Sequence, residues 1–592
     1  MPTSGRSAVA PSALLPALWI GLTAGVLEVA IRACQHFLFG RLLFVGVDFW
    51  AGAPLVTAGL IAVPATLLAA PLARTRFGLR VRYGVPLGLG ILGLILLIPG
   101  LAKWAALLFA AGLAVQSAGW LAKRSAEFER LVRRTLPLML ALPMLGAAGL
   151  HIAQARSGVP RGMVRAEPGT PNVLLLVLDT VRAIELGLYG MKPTTSPFLD
   201  ALGAQGVIFD QAFSTAPWTA PSHASLFTGH RPYELSIDWM TRLDGTWPTL
   251  AEVLGTAGYA TGGFVANTEY ASAETGLGRG FGHYEDYRLT AANALRWTSL
   301  SRSAVNLWHG LRTPRPGDSP GRLASDEINR SFLGWLDRLA GQPFFAFLNY
   351  FDAHAPYFPP EPYWSRFLPG EPRRPRAVGP SAWSPQAVTL GRRAYQGAIA
   401  YLDEQIGALL DSLRVRGALR HTLVIVVGDH GEEFFEHGLM GHGNSLYAPS
   451  VRVPFLVVWP GHVPASRVAE PVSLAGIPST VLNLLGRPGP FPGPGLAGYW
   501  TGQRPPPAAV TSAVSFARDL PSHYPVSQGA LASARLGRYR FLSTPHDTVG
   551  QLYDLESDPF ETRNLAGEPW AASILRTLRD TATAILPRRN RR

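Results

Sequence analysis

One stretch of the chain, GDHGEEFFEHGLMGHGN at residues 428–444, concentrates the side chains that hold metal ions and move protons. Asp429 and His430 are adjacent, Glu432 and Glu433 follow, and His437 and His442 stand among glycines. Carboxylate with imidazole suits one divalent cation, zinc or manganese first, with calcium or magnesium also admitted. Glu432 and Glu433 read as support for the following turn rather than as ligands. A second stretch, STAPWTAPSHASLFTG at 214–229, reads as the start of a helix, with Pro221 and Ser222 in its first turn and Thr219 just before it. A helix N-terminus turns N–H groups and a positive dipole toward an anion. The Thr219 hydroxyl there could attack an ester if a metal ion lowered its pKa. Taken alone, the segment is that of an ordinary helix whose cap is Thr219 or Ser222.

These segments need elements to bring them together. Five short continuous apolar runs, 173–178, 260–266, 344–350, 423–427 and 455–459, suit strands buried on both faces of a largely parallel sheet. Helical patterns lie between them, at 198–205, 248–258 and 395–414. The alternation implies a layered α/β/α domain. In such sheets ligands gather beyond the carboxyl ends of the strands. Asp179 follows the first run, His354 lies just past the third, and Asp429 and His430 follow the fourth. Three separated segments therefore deliver carboxylate and imidazole to one rim.

The rest of the chain excludes some alternatives. Of its 592 residues 47% are hydrophobic and only 16% charged, so disorder is excluded as the main state. The lone Cys34 excludes an intramolecular disulfide, a thiolate zinc cluster and a CxxC redox site. The net charge of +13 is uneven: residues 1–165 hold 16 Lys and Arg against 4 Asp and Glu, and the remainder 37 against 36. The larger part is thus almost neutral, which argues against nucleic-acid binding.

The first quarter holds five apolar stretches of spanning length, roughly 12–31, 50–72, 85–102, 104–121 and 135–153. With a cytoplasmic N-terminus, Arg6, loop 2–3 (Arg74, Arg76, Arg80, Arg82) and loop 4–5 (Lys123, Arg124, Arg130, Arg133, Arg134) lie inside. The outer loops hold only Arg32, Arg41 and Lys103. That satisfies the positive-inside rule, and an odd number of spans places the rest of the chain outside the cytoplasm. Glu28, within a span, is a functional hint or the maker of an interhelical hydrogen bond. The expected organisation is a transmembrane domain (1–153), a Gly/Pro-rich linker (154–170), a catalytic domain (171–505), and a C-terminal subdomain with a basic tail (506–592).

The motifs resemble the sulfatase family of the alkaline phosphatase superfamily. PNVLLLVLDTVRAIELGLYG (171–190) is similar to the family's opening strand with its metal-binding Asp, and WTAPSHASLFTG (218–229) to its nucleophile motif. FDAHAPYFPP (351–360) resembles the segment supplying a substrate-binding His, residues 428–461 resemble the second metal segment, and QLYDLESDPFETRNLA (551–566) the closing motif. The resemblance implies an alkaline-phosphatase/sulfatase-like α/β/α sandwich with a small C-terminal subdomain.

Departures shape the implied chemistry. Sulfatases convert a Cys or Ser to formylglycine, whereas the matching position here is Thr219. His223 replaces the motif's Arg, Thr180 the second early carboxylate, and His430 the usual Asn. Ile184-Glu185 stands where many relatives carry Asp-His. The set Asp179, Thr219, Asp429, His430 is instead similar to the single-metal site of phosphoethanolamine transferases and lipoteichoic acid synthases. Those also have a Thr nucleophile and five N-terminal spans. The resemblance implies a metal-dependent hydrolase or phosphotransferase acting on a phospholipid or surface-glycan ester at the membrane. His354 and His442 would contact the transferred group, and His223 and His437 are further substrate contacts. Two alternatives stay open: hydrolysis of a sulfate ester without formylglycine, and a catalytically silent membrane scaffold.

Overall fold

The computed structural model describes residues 13–71, 75, 78–98, 100–157, 166, 169–287, 290–310, 322–373, 384–493, 495–517, 520–544 and 547–586. Arg6, Arg74, Arg76, linker residues 158–165 and the basic tail 588–592 lie outside the described residues. The chain divides into two compact units.

Among its described residues the first unit contains five helices long and apolar enough to cross a membrane. They are α1 (Leu14–Ala33), α2 (Phe49–Ala69), α3 (Gly78–Ile95), α4 (Lys103–Lys123) and α5 (Ser125–Ser157). Small residues let the backbones approach: a Cβ on Gly21 would lie 2.6 Å from Ala58 Cα, and one on Gly25 2.6 Å from Pro54 Cα. Two spans begin earlier than the hydropathy suggests. The third starts at Gly78 rather than near 85, because the buried Arg82 is paired with Glu129 at 3.0 Å and lies 5.5 Å over the Tyr83 ring. The fifth starts at Ser125 rather than near 135, with Glu127 in a first turn that favours acidic residues. Arg80, Arg82, Arg130, Arg133 and Arg134 are therefore helical rather than loop residues. They still cluster at the end formed by the starts of α3 and α5.

Residues 287–310, which interrupt the catalytic sequence, group with these helices. Trp297 is buried with Leu43, Val45, Phe49 and Ala53. Gly52 makes room for its ring, since a Cβ there would fall 2.3 Å from Trp297 Cζ3.

The core of the second unit is an eight-stranded sheet. Its strands are β1 (Asn172–Leu178), β2 (Val207–Phe209), β3 (Ala260–Val265), β4 (His283–Glu285), β5 (Phe344–Tyr350), β6 (Thr422–Gly428), β7 (Phe455–Val458) and β8 (Ser466–Val468). The order is β8-β2-β7-β6-β1-β5-β3-β4. Strands β6, β1, β5, β3 and β4 run parallel, and β7 is antiparallel to both of its neighbours. The run at 455–459 thus forms a strand, but in the opposite direction to the others. Both faces are covered, which is why the strands read as unbroken apolar runs. Val173, Leu175 and Val177 enter one core cluster, and Leu174, Leu176 and Leu178 the other.

Helices α6 (Pro197–Gly203), α7 (Thr219–Thr228), α8 (Leu250–Thr256) and α9 (Pro385–Val415) flank this sheet. A four-stranded antiparallel sheet, Val510–Val514, Leu531–Leu536, Tyr539–Thr544 and Asp547–Asp554, packs against the Ala572–Ala584 helix to complete the unit.

Candidate active site

Strand register builds the site. Leu178 pairs with Gly428 across β1 and β6, so the next residues, Asp179 and Asp429, leave adjacent strand ends side by side. Asp179, Asp429 and His430 are fully buried, and one ligand atom from each lies within 4.8 Å of the others. Each carboxylate has one tethered and one bare oxygen, and His430 has one tethered nitrogen and one that faces Thr219. Asp179 Oδ2 accepts from Asn267 Nδ2 at 3.0 Å. Asp429 Oδ1 accepts from the backbone N–H of His430 at 2.8 Å and of Thr180 at 3.2 Å. His430 Nδ1 lies 3.0 Å from the Gly431 carbonyl, to which it donates, leaving Nε2 with its lone pair.

The bare atoms, Asp179 Oδ1 and Asp429 Oδ2, have no hydrogen-bond partner among the described residues and lie 3.8 and 3.5 Å from His430 Nε2. Unsatisfied buried carboxylate oxygens facing a bare imidazole nitrogen are the donor set a divalent cation takes. Burial pushes Asp179 up to about 7, and the neighbouring Asp429 adds to this. Burial likewise pushes Asp429 up to about 7 and His430 down to about 4. A bound cation would reverse the carboxylate shifts.

Thr219 opens α7 as its first residue rather than preceding it, and Trp218 is the N-cap. The helix starts earlier than the sequence suggests because Pro221 is tolerated in a first turn, where N–H groups lack intrahelical partners anyway. Ser222 is no cap: its hydroxyl donates to the Asp429 carbonyl at 2.6 Å, pinning α7 to the end of β6. Thr219 Oγ1 lies 3.2 Å from His430 Nε2 and accepts from Asn267 Nδ2 at 3.4 Å. Thr180 stands where the resemblance places a second carboxylate. Its φ of 61° is left-handed, a strained conformation for a β-branched residue. Its hydroxyl donates to the Asp179 carbonyl at 2.7 Å.

Two of the four remaining histidines stand together beside this group. The ring of His442 lies 4.6 Å from that of His430 and 4.9 Å from that of His354, between centroids. His354 Nδ1 donates to the Ala355 carbonyl at 2.7 Å, and burial holds its pKa well below the ordinary value. Burial pulls His442 down too, but Glu432, 3.2 Å from its Nδ1, and then Asp179 and Asp429 outweigh this and leave it raised. Glu432 thus supports His442, as expected of a supporting residue.

The other two histidines sit elsewhere. His223 is completely buried, with Nδ1 2.8 Å from the Thr219 carbonyl one turn earlier and 3.5 Å from Asp429 Oδ2. Burial pushes it down to about 3. His437 has both ring nitrogens engaged, at 3.4 Å from Glu433 and 2.9 Å from the Phe560 carbonyl, and it stacks on Tyr447. The remaining His223 nitrogen, Nε2, lies 3.5 Å from the Asn349 amide, so among the described residues both rings have each nitrogen facing a protein group.

Three contributors escaped the sequence reading. Asn267 bridges Asp179 and Thr219, and it follows the apolar run 260–266 just as Asp179 follows 173–178. Arg322 donates to the carbonyls of Asp352, His354 and Pro356, at 2.6, 2.9 and 3.2 Å, and so holds the turn that carries His354. Trp218 packs 4.8 Å from Tyr270, 4.4 Å from Trp239 and 5.3 Å from His442, giving the site an aromatic wall.

A mixed α/β sheet with Asp, Asp, His and a helix-borne hydroxyl at its carboxyl rim defines a member of the alkaline phosphatase superfamily. The family model described as Sulfatase matches residues 171–487, more than half of the chain, and the chain belongs to the sulfatase family. Members of this family hydrolyse sulfate or phosphate esters and typically depend on a divalent metal. Similar proteins include an arylsulfatase K of Bos taurus, 25% identical over 73% of this chain and 85% of the relative. A choline-sulfatase of Rhizobium meliloti (strain 1021) is 26% identical over 68% and 83%. Among solved structures, a phosphonate monoester hydrolase of Agrobacterium radiobacter has a TM-score of 0.56 at 24% identity, covering 70% of this chain and 95% of that one.

Proposed function

We propose that this sulfatase-family protein is a membrane-anchored, metal-dependent enzyme that cleaves or transfers a phosphoester group through Thr219. The observation that carries the reading is the Thr219 hydroxyl, 3.2 Å from His430 Nε2 beside the bare oxygens of Asp179 and Asp429. A divalent cation, zinc or manganese, held by Asp179, Asp429 and His430 with Thr219, would supply the charge that lowers the hydroxyl's pKa.

Thr219 Oγ gives up its proton and attacks phosphorus, forming a Thr–O–P bond as the bond to the leaving oxygen breaks, and that oxygen takes up a proton and departs as the alcohol. His442, its pKa raised by the Glu432 carboxylate that holds it, neutralises the non-bridging oxygens. Asn267 orients Thr219 and Asp179. His354 is neutral with Nδ1 donating, so its Nε2 is an acceptor for the proton of an incoming water or alcohol, which breaks the Thr–O–P bond and frees Thr219. The five apolar helices would anchor the enzyme, with the basic end of α3 and α5 toward the cytoplasm and the catalytic unit outside. A phospholipid or surface-glycan substrate follows from that location.

Sulfate-ester hydrolysis is the second reading, favoured by the sulfatase relatives. A silent scaffold would gain nothing from two buried unsatisfied carboxylates. Accurate-mass mapping of the Thr219 peptide after turnover tests the proposal. A phosphate-derived adduct on Thr219 supports it, and a sulfate adduct moves the chemistry to sulfur. Full turnover by Thr219→Ala overturns the nucleophile assignment.

A further inference from the structure

The membrane unit carries a charged cluster of its own. Glu28, in α1, is 3% exposed, an expensive position for a carboxylate. Its Oε1 accepts the backbone N–H of Ser299 at 2.8 Å, so it caps the Ser299–Gly310 helix, and it receives Arg32 Nε at 3.3 Å. The Ser299 hydroxyl donates to the Gly93 carbonyl in the last turn of α3. Arg302 stands one turn beyond Ser299 on the same face of its helix. Its Nε donates to the Arg296 carbonyl at 3.2 Å.

The guanidinium groups are under-used. Among the described residues, Arg32 meets one acceptor, Glu28, and Arg302 meets one, the Arg296 carbonyl. Both make these bonds through Nε, so the forked terminal nitrogens of each remain available. Arg32 is 7% exposed, and its guanidinium carbon lies 5.9 Å from the centre of the Phe49 ring. Arg32, Glu28, Arg296 and the Tyr287 phenol are among the charges that act on Arg302, and Glu28 is the carboxylate among them. Two guanidinium groups beside the Glu28 carboxylate leave net positive charge there, which an anion would relieve.

We propose that Arg32 and Arg302 form a binding site for the phosphate of an anionic phospholipid. A guanidinium fork matches two phosphate oxygens. A membrane lipid is favoured over free phosphate by the flank of the site. Leu27 and Ile31, next to Glu28 and Arg32 on α1, are 47% and 39% exposed on a helix long and apolar enough to span. An acyl chain can lie along that stripe while its phosphate reaches the guanidinium groups. The site needs nothing from Thr219 chemistry and stands apart from the proposed function.

Full-length protein, purified in mild detergent and stripped of lipid, is offered equimolar phosphatidylglycerol and phosphatidylcholine, and retained lipid is read by intact-complex mass spectrometry. Wild type should retain phosphatidylglycerol over phosphatidylcholine by about tenfold, the worth of a charge-assisted pair. Arg302→Gln should erase this preference, and Arg302→Lys should keep only part of it. Arg32→Gln is the companion variant. Because it also unpairs Glu28 and could unfold, thermal midpoints are compared and Arg302→Gln decides. Equal preference in wild type and Arg302→Gln overturns the proposal. Displacement of the lipid by inorganic phosphate at equal concentration overturns the lipid as occupant.

Discussion

His430 Nε2 lies 3.2 Å from the hydroxyl oxygen of Thr219, although 211 positions separate the two residues in the chain. The contact is made by two independent devices. The register of β1 with β6 fixes where Asp429 and His430 emerge, and the Ser222 hydroxyl on the Asp429 carbonyl fixes where α7 begins. Thr219→Ala should leave both devices and the three other ligands intact. We expect turnover to fall at least about 10³-fold with metal content nearly unchanged, as for loss of a covalent nucleophile. Thr219→Ser should retain part of the rate. Steady-state kinetics beside metal analysis of the same preparations checks this, and a loss of metal equal to the loss of rate would reassign Thr219 as a ligand only.

Asn267 touches both partners of the reaction centre without charge of its own. Its amide donates to Asp179 Oδ2 at 3.0 Å and to Thr219 Oγ1 at 3.4 Å, and its own backbone N–H is held by the Asn349 side chain at 2.8 Å. Groups that orient metal ligands are worth about 10- to 100-fold in affinity or rate. Asn267→Ala should therefore lower kcat or metal affinity by that range, and Asn349→Ala by less. If Asn267→Ala is indistinguishable from wild type in both, the bridge has no part in activity.

How much of this was readable follows from the length of each signal. Strands β1, β5 and β6 carry seven residues each and announced themselves as apolar runs, so Asp179, Asp429 and His430 could be placed on one rim. Strands β2, β4 and β8 have three residues each, too few for any period to register. The direction of β7 is set by its neighbours and leaves no mark in its composition. The histidines divided for a local reason. Among the described residues His354 and His442 each keep a nitrogen without a hydrogen-bond partner, whereas the nitrogens of His223 and His437 meet a helix carbonyl, the Asn349 amide, a glutamate and a distant carbonyl that spacing cannot reveal. Residues 287–310 lie within the sequence of the catalytic domain, and nothing in their composition tells that Trp297 packs against Gly52 and that Ser299 bonds to Glu28 and Gly93.

Metal removal probes the buried carboxylates directly. Asp179 Oδ1 and Asp429 Oδ2 have no hydrogen-bond partner among the described residues to replace a cation. Exhaustive chelation should abolish turnover and lower the thermal midpoint, because ligand binding stabilises the folded state. Zn²⁺ or Mn²⁺ should restore both. Asp429→Asn should bind metal substoichiometrically. Full activity in chelated, metal-free protein would remove the metal from the mechanism.

His442 and His437 lie five residues apart and should behave oppositely on truncation. His442, backed by Glu432 and ringed by His430 and His354, is the group proposed to meet the transferred anion. His442→Ala should cost about 10²-fold in kcat/KM. His437 is clamped by Glu433, the Phe560 carbonyl and Tyr447. His437→Ala should leave kcat alone and cost about 1–3 kcal/mol of stability by stranding a buried partner. Parallel kinetics and thermal unfolding separate the two, and a kcat defect in His437→Ala would bring that residue into the site.

Asp403 sets a pH dependence remote from the chemistry. It is buried on α9, and its two oxygens accept the backbone N–H groups of Phe198 at 2.9 Å and Leu199 at 2.8 Å, in the first turn of α6. Burial pushes its pKa up to about 7, against the pull of those two bonds. In the unfolded chain the value is about 3.9. The folded state therefore binds the proton more tightly. The stability this provides is fully present below about pH 4 and is lost as pH rises toward 7. Asn at this position cannot titrate, and it offers one accepting oxygen where Asp offers two, so one N–H of α6 loses its partner. Asp403→Asn should be less stable than wild type at pH 5 by about 1–2 kcal/mol, with the gap narrowing by pH 8. Thermal midpoints of the two proteins across that range test this. A gap that stays constant with pH would mean that Asp403 is charged throughout and that its two hydrogen bonds outweigh its burial.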